Sequence, residues 1–315
     1  MVINGTNYLD YDHPYNVTII NDNTVVQRTN TVIPNRINFL NVFMGGKGRD
    51  NKLIKMMSKS QFVTEYGKPD ASKYGQPILN AYASIVDQYS YAYCMRVMPN
   101  DACYSNIIVL AKYKVNDDGN FEVKLETKGV GSLNNAANFQ SVMDKELNTE
   151  ADEAGFKTVP LFAVRSLGRG RYGNSYRIRL TNVFTRKDKV YRNYLFELLD
   201  VDEGNIVVES FEGCLYDQTV NNASYIMNDV VDRDVNGSSR IAVLVNEDAW
   251  EMMYEEYASC FKTAAEKAEM PTIKHFDPIY GVANNKAKQP KLVISTEENA
   301  ILDRLDGVSL LGGND

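Results

Sequence analysis

Nucleophilic, acid–base and metal chemistry needs histidine, cysteine or paired carboxylates at workable spacings, and this sequence offers few of them. The 315 residues include only two histidines, His13 and His275. His13 lies in a polar stretch without a helical period, and His275 lies in a loop bounded by prolines, so neither has the rigid support that a catalytic group needs. We therefore predict no Ser-His-Asp or Cys-His pair, no catalytic residue and no cofactor.

The cysteines also lack the close pairs that zinc sites use, since zinc needs about four Cys or His ligands in short repeats. A turn at residues 116–120 is faintly similar to a calcium loop, but it has no glutamate at the twelfth position. We predict no metal site. We expect reduced, buried thiols at Cys94, Cys103, Cys214 and Cys260.

The most distinctive run of residues is 168–180, with the sequence GRGRYGNSYRIRL. Three glycines separated by basic residues lead into an alternating stretch with Tyr176, Ile178 and Leu180 on one face. This period of two is typical of a half-buried strand. Glycine loops that hold phosphate lead into a helix N-terminus. The run therefore predicts a sharp corner that enters a sheet, and it gives little support to a nucleotide site.

A second glycine loop, residues 45–51, carries Lys47 and Arg49 and is followed by Lys52. These cations could bind an anion such as a phosphorylated ligand, although the Walker-type Gly-Lys-Ser/Thr run is absent. Acidic side chains of a protein partner would suit the same residues. The residues alone leave both interpretations open.

Composition argues against several classes of function. The net charge is -7 and the pI is about 5.1, whereas nucleic-acid binding needs a basic face. No apolar run approaches the roughly 18–20 residues that span a bilayer, and the first residues lack the pattern of a signal peptide. We expect neither a nucleic-acid partner nor a membrane partner. Twenty tyrosines against one tryptophan suit either surfaces buried against a partner or sheet edges.

The first hundred residues predict the order strand, helix, helix, strand. Residues 36–44 have apolar groups on both faces, as in a buried central strand. A brief helix capped by Ser58 or Ser60 follows. Residues 74–90 predict a longer helix, and residues 91–97 a strand. This order favours an α/β fold, with mixed α+β content and helices flanking a central mixed sheet.

Alternating stretches later in the chain predict β-hairpins at residues 107–127 and 191–211. Residues 114–158 predict an inserted, β-rich surface excursion that also holds a short helix near residues 139–147. No internal repeat is present.

The last third of the chain predicts a strand at residues 241–245 and then a long helix. Asn246 or Asp248 caps this helix, and its apolar stripe extends to Glu269. Residues 292–305 predict a short strand and a further helix.

An extended N-terminal arm is predicted at residues 1–23, which are polar and have no helical period. A short strand candidate within the arm has no local partner. It either joins an edge of the domain's own sheet, which the residues alone favour, or adds to a neighbour's sheet. The candidate consists of Val17, Thr18, Ile19 and Ile20.

Several short motifs follow one another along the chain. They are the strand and glycine loop at residues 39–48, Phe62 followed by Glu65-Tyr66-Gly67, the helix start Tyr74-Gly75-Gln76, the strand ending in Arg96-Val97, the turn Gly170-Arg171-Tyr172-Gly173-Asn174, and the run Leu310-Leu311-Gly312-Gly313-Asn314-Asp315. In this order they resemble the contractile tail sheath proteins of bacteriophages. Each motif is short, but together they span most of residues 36–315.

The resemblance implies a structural subunit that is not an enzyme and needs no cofactor. Such a subunit polymerises helically around a tail tube and contracts by collective rearrangement, which drives the tube through the host envelope. The implied partners are other copies of the chain, the tail tube protein, and the baseplate and tail terminator proteins. The implied location is the virion tail, with the host cytoplasm during assembly.

The resemblance also implies a domain organisation. Residues 1–23 become an inter-subunit arm, with residues 17–20 as a strand donated to a neighbour. The sheath core comprises residues 24–113 and 159–315, and residues 114–158 form an outward-facing insertion. Family members continue into a further C-terminal domain, so we expect this chain to be a fragment of a longer protein.

Two alternatives belong to other classes of function. One is a phage baseplate or receptor-contact module, and the other is an enzyme that acts on a phosphorylated ligand through the glycine loops.

Overall fold

The computed structural model describes residues 38–85, 91–183, 193–216, 226–233, 236–273, 276–279, 292–294 and 306–313. The chain divides into two compact units, Met1–Val97 and Met98–Asp315. Both units combine helices with sheets, and both contain parallel and antiparallel pairs, so the α/β prediction is confirmed. No helix within the described ranges is long and apolar enough to cross a bilayer. The predicted arm and both histidines lie outside those ranges.

The first unit is a three-stranded sheet with short helices. Its elements are β1 (Asn38–Phe43), β2 (Leu53–Met56), α1 (Lys59–Tyr66), α2 (Ala71–Tyr74), α3 (Gln76–Ala83) and β3 (Tyr91–Arg96). Strand β3 lies in the centre, parallel to β1 and antiparallel to β2. Ser58 is the N-cap of α1, because its side chain accepts a hydrogen bond from the Gln61 amide.

The core of the first unit is aromatic, and it corrects one prediction. The rings of Phe43, Phe62 and Tyr66 contact one another at centroid distances of 5.0–5.4 Å. Strand β1 is not a buried central strand, since it lies at the sheet edge and Leu40 and Val42 are 69% and 46% exposed. In the part of the chain that the structure describes, helices cover only the face that carries Phe43.

The helix predicted for residues 74–90 is also shorter than expected. Gly75 has a φ of 77° and separates α2 from α3. Its amide donates to the Ala71 carbonyl and closes α2, so the left-handed conformation that glycine allows breaks the helix there. Helix α3 ends at Ala83.

The second unit contains two sheets and four helices among its described residues. The strands are β4 (Tyr104–Val115), β5 (Phe121–Lys128), β6 (Lys157–Arg169), β7 (Tyr176–Val183), β8 (Asn193–Asp200), β9 (Ile206–Gly213), β10 (Ile241–Val245), β11 (Leu292–Ile294) and β12 (Asp306–Ser309). The helices are α4 (Phe139–Asp144), α5 (Met227–Val231), α6 (Glu247–Ser259) and α7 (Ala264–Glu269). The sheet orders are β10-β6-β4-β5-β11 and β12-β7-β8-β9. Both predicted hairpins are confirmed as β4–β5 and β8–β9.

Strand β6 has no counterpart in the sequence prediction. Its apolar run does not alternate, and such a run cannot be told from a buried helix by period alone. Pro160 also argues against a central strand. The ladder accommodates this proline with a shift in register, because Val109 lies opposite Phe162 whereas Leu110 lies opposite Pro160.

The long helix predicted to reach Glu269 is wrong, because two helices occupy that range. Asn246 caps α6 as predicted, but α6 ends at Ser259. A capping box between Thr263 and Glu266 then starts α7. A capping box satisfies the free amides of a new first turn, so it favours a fresh helix over continuation.

The main core of the second unit joins side chains from both sheets and from α6. Phe121, Val123 and Leu125 of β5 belong to this core and are almost fully buried. The predicted excursion at residues 114–158 therefore contributes a core strand as well as α4. Its outward-facing position in an assembly stays a prediction.

Candidate functional site

The glycine-rich run at residues 168–180 forms a corner between two strands. Strand β6 ends at Arg169, a 3-10 turn spans Arg171–Ser175, and β7 begins at Tyr176. Gly170 has a φ of 117°, a conformation that side chains rarely allow. The predicted corner into a half-buried strand is confirmed, because Tyr176, Ile178 and Leu180 are buried.

Contacts with the start of β4 and with the residues before it hold the corner in place. The Gly170 amide donates to the Cys103 carbonyl at 2.9 Å, and the Arg169 guanidinium donates to the Pro99 carbonyl at 2.9 Å. A Cβ on Gly173 would lie 2.6 Å from Ser105 Oγ and 2.9 Å from the Ser166 Cβ. Only glycine fits this close approach.

Asn174 links the corner to the last described residues of the chain. Its Nδ2 donates to the Gly313 carbonyl at 3.0 Å, and its Oδ1 accepts from the Gly313 amide at 3.0 Å. Ser105 Oγ donates to the same Oδ1 at 2.8 Å. The side-chain amide of Asn174 therefore pairs with a glycine backbone as a neighbouring strand would.

Asn106 makes a second link of the same kind. Strand β5 ends with Lys128 opposite Ile108, and Asn106 lies just beyond that pair in β4. The Asn106 side chain donates to the Val130 carbonyl at 2.7 Å and accepts from the Val130 amide at 2.9 Å. Its backbone pairs with Leu311 through hydrogen bonds of 2.7 and 3.0 Å. One buried residue thus ends β5 and receives the terminal segment.

The segment that these residues hold contacts both sheets. Strand β12 pairs antiparallel with β7, and the Leu310 amide donates to the Tyr176 carbonyl at 2.9 Å. The Leu310 side chain lies in the main core, whereas Leu311 is 52% exposed. We call Ser105, Asn106 and Asn174, together with residues 310–313, the glycine clasp.

Close approaches explain why glycines occupy the clasp. A Cβ on Gly313 would overlap Ser105 Oγ, and a Cβ on Gly312 would lie 2.7 Å from the Val130 carbonyl oxygen. Gly312 also has a φ of 78°. Two motifs that looked independent in the sequence are therefore complementary surfaces of one site.

The second glycine loop lies in the first unit and surrounds Arg96. The Arg96 side chain is fully buried, and its Nε and Nη1 donate to the carbonyls of Gly45 and Gly48 at 2.8 and 3.0 Å. The Asn51 amide donates back to the Arg96 carbonyl at 2.8 Å. The loop is thus wrapped around a guanidinium group that the chain itself supplies.

This geometry weighs against the anion interpretation of residues 45–51. A phosphate cradle presents amide N–H groups to the ligand, whereas here the carbonyls of Gly45 and Gly48 face a cation. The loop leads to β2 and not directly to a helix. Gly48 has a φ of 98°, and a Cβ there would lie 2.5 Å from the Glu65 carbonyl oxygen, so the loop is packed tightly against α1.

No protein-family model matches the sequence, and no curated protein matches it. Among solved structures, the chain is similar to a sheath tail protein from Desulfitobacterium hafniense, with a TM-score of 0.29 and 10% identity over 71% of this chain and 39% of that chain. It is also similar to a sheath tail protein from Listeria innocua, with a TM-score of 0.30 and 9% identity over 67% of this chain and 30% of that chain.

Both solved structures are named as sheath tail proteins, and the sequence motifs resemble the tail sheath proteins of bacteriophages. The match spans well under half the length of either protein, and both TM-scores are below 0.5.

The described part of the chain offers little of the metal-binding or nucleophilic chemistry that an enzyme would use. Those residues contain no group of three or more His, Cys, Asp or Glu side chains that could hold a metal. All four cysteines are buried, as predicted, and burial raises the pKa of the Cys94 thiol to about 11. A thiol with that pKa is a poor nucleophile near neutral pH.

The second unit has a cleft of about 320 Å³, but its chemistry does not suit a phosphorylated ligand. Lys157 Nζ forms an ion pair with Glu256 at 2.8 Å, so a carboxylate already neutralises the cation that would attract phosphate. Burial raises the pKa of Tyr113 to about 12. The lining residues are Tyr113, Thr149, Lys157, Met252, Glu255, Glu256 and Ser259.

The sequence motifs include the glycines of the clasp and Asn174, but they do not include Ser105 and Asn106. Ser105 and Asn106 lie in an apolar strand, where a single polar residue gives no signal by itself. The Asn-Gly contacts depend on pairs 139 residues apart, which no local pattern reveals. The predicted arm residues Val17–Ile20 lie outside the described ranges, so their role stays a prediction.

Proposed function

We propose that this chain is a structural subunit of a contractile bacteriophage tail sheath. The observation that carries the proposal is the contact of Asn174 with Gly313. It joins two of the ordered sheath-like motifs, the Gly-x-Tyr-Gly-Asn turn and the Leu-Leu-Gly-Gly run, into one hydrogen-bonded arrangement. Motifs that match by chance have no reason to be complementary to each other in three dimensions.

The first unit supports the proposal in the same way. Three further motifs meet at the loop of residues 45–51: Arg96, near the end of β3, donates to the loop carbonyls, and helix α1 packs against Gly48 of the loop. Both glycine loops are filled by the protein's own atoms, the guanidinium of Arg96 in one case and Gly313 in the other. This arrangement suits a structural subunit, because neither loop is left open for a small ligand.

An exposed apolar surface on the first unit is consistent with burial by neighbouring subunits. Leu40, Val42, Leu53 and Met57 are 69%, 46%, 51% and 57% exposed. Val42 and Leu53 lie opposite the same residue of β3, Met95, so they share one face of the sheet. Exposed apolar patches often mark interfaces.

In the proposed assembly, identical copies surround a tail tube, and baseplate and tail terminator proteins bound the array in the virion tail. The subunits are made in the host cytoplasm. Contraction would proceed as a collective change from an extended array to a shorter, wider one, and extended arms such as residues 17–20 would add strands to neighbouring sheets. Main-chain pairing tolerates reorientation of rigid domains. No cofactor enters this scheme.

The test is polymerisation of the purified full-length gene product, viewed by electron microscopy. A sheath subunit should form regular tubes of uniform diameter. A baseplate or receptor-contact module should instead form small closed oligomers or stay monomeric, and that result would contradict the proposal.

A nucleotide panel tests the enzyme alternative separately. We expect no shift in the thermal unfolding midpoint with nucleotides or inorganic phosphate, because carbonyls of the first loop face Arg96 and Gly313 occupies the second. A saturable rise in the midpoint would favour an enzyme, since ligands stabilise the state that they bind.

A further inference from the structure

We propose that the glycine clasp contains a selective binding site for a peptide with two consecutive glycines, which residues 310–313 occupy as a docked ligand. We call this site, without the segment, the clasp slot. It consists of Ser105, Asn106, Val130, Gly173, Asn174 and Tyr176. The proposal does not depend on the sheath function.

The clasp slot is held together by contacts that do not involve the segment. Ser105 Oγ donates to Asn174 Oδ1 at 2.8 Å, and the Asn106 side chain bonds both backbone groups of Val130. The corner is fixed by the Gly170 amide on the Cys103 carbonyl. These bonds remain when residues 310–313 leave, so the slot keeps its shape as a binding site must.

The slot recognises the main chain of the segment. Asn106 exchanges two backbone hydrogen bonds with Leu311, Asn174 makes two side-chain bonds to the Gly313 backbone, and the Tyr176 carbonyl accepts from the Leu310 amide. None of these five bonds requires a particular side chain on the peptide. Strand addition supplies affinity in this way, while pockets supply specificity.

Space and one apolar pocket set the specificity. The Leu310 side chain is fully buried in the main core, so the peptide needs a large apolar residue there. Leu311 is half exposed, so that position tolerates variation. Side chains at positions 312 and 313 would meet the Val130 carbonyl and Ser105 Oγ. The ligand class is therefore a peptide of the pattern apolar, any residue, Gly, Gly, with a positive φ at the first glycine.

The docked segment belongs to the same chain as the slot. Covalent attachment makes its binding intramolecular, at an effective concentration that can reach roughly millimolar. A free peptide should therefore compete poorly for the slot unless residues 310–313 are prevented from binding there.

The experiment uses the whole chain and a fluorescent peptide with the sequence of residues 306–315. In the Gly313→Val chain, residues 310–313 cannot bind in the slot, because valine would overlap Ser105 Oγ. We expect the peptide to bind this variant at least tenfold more tightly than the wild-type chain, measured by fluorescence anisotropy. The same peptide with valine at position 313 should not bind.

A second substitution tests whether binding occurs in the slot. Adding Asn174→Ala to the Gly313→Val chain should weaken peptide binding at least tenfold, whereas adding Asn134→Ala, at an exposed turn, should leave it unchanged. Near-UV circular dichroism checks the fold, and Gly312→Ala is a milder variant that strains the same segment. Well-folded variants that bind the peptide no better than the wild-type chain would overturn the proposal.

Discussion

Asn174 and Gly313 hold each other through two hydrogen bonds of 3.0 Å across 139 residues of sequence. The asparagine lies at the corner that leads into β7, and the glycine lies at the end of the described chain. Their contact fixes the segment that crosses from β7 of the smaller sheet to β4 of the larger one.

Asn174→Ala should destabilise the second unit by about 1–2 kcal/mol, because the Gly313 backbone and Ser105 Oγ lose a partner together. Hydrogen exchange should show faster exchange at the Gly313 amide, whose hydrogen bond ends on Asn174. Asn134→Ala is the matched control and should change neither quantity. Unchanged protection of Gly313 in the Asn174 variant would contradict this role.

Gly173→Ala should destabilise the second unit by about 1–3 kcal/mol through overpacking. The new Cβ would lie 2.6 Å from Ser105 Oγ and 2.9 Å from the Ser166 Cβ, and both serines are fully buried. Gly131→Ala is the matched control, since nothing lies within 4 Å of a Cβ there. Equal urea midpoints for the two variants would show that the corner is not closely packed.

Arg96→Lys should loosen the glycine loop of the first unit and cost about 2–3 kcal/mol. Lysine keeps the charge, but it lacks the planar fork that reaches the carbonyls of both Gly45 and Gly48. Hydrogen exchange of peptides from residues 39–56 should accelerate, including at the Asn51 amide. Lys52→Ala, at the exposed end of the same loop, should leave that exchange as it is in the wild-type chain.

Stability should fall as the pH rises above about 10, because buried tyrosines resist ionisation. Burial raises the pKa of Tyr113 from 10.0 to about 12, and burial also raises the pKa of Tyr66 and Tyr176. Below pH 10 the phenols are protonated in both the folded and the unfolded state, so these tyrosines do not lower the free energy of unfolding there. Between about pH 10 and 12 the unfolded state loses the Tyr113 proton first, and the free energy of unfolding decreases.

Urea unfolding at pH 8, 10 and 11 measures this effect. Tyr113→Phe should make the loss of stability with pH shallower, since phenylalanine has no proton to lose. A slope identical to that of the wild-type chain would show that Tyr113 ionises equally easily in the folded and unfolded states.

The sequence predicted those helices and strands that depend on residues close together in the chain, through alternation or capping. The alternation of Tyr176, Ile178 and Leu180 predicted β7, and Asn246 marked the start of α6. The break before α7 was missed because the apolar stripe continues through Phe261, while the Thr263 capping box acts on backbone amides. Strand β6 was missed because a fully buried strand has no polar face to alternate with.

The clasp and the Arg96 loop could be predicted only in part. The glycines indicated places where another part of the chain approaches the backbone closely. The identity of the approaching residue cannot be predicted from a glycine alone. Asn106 contacts Leu311, and Asn174 contacts Gly313, through pairs that are distant in sequence. Such pairs depend on the packing of two sheets, and packing is set by the whole core.

Cryo-electron microscopy of the assembled particle tests the central claim most directly. If the chain is a sheath subunit, density containing the Asn174–Gly313 contact should repeat on a helical lattice along the tail and surround an inner tube. Density confined to a few copies at one end of the tail, or none in the tail, would contradict the account.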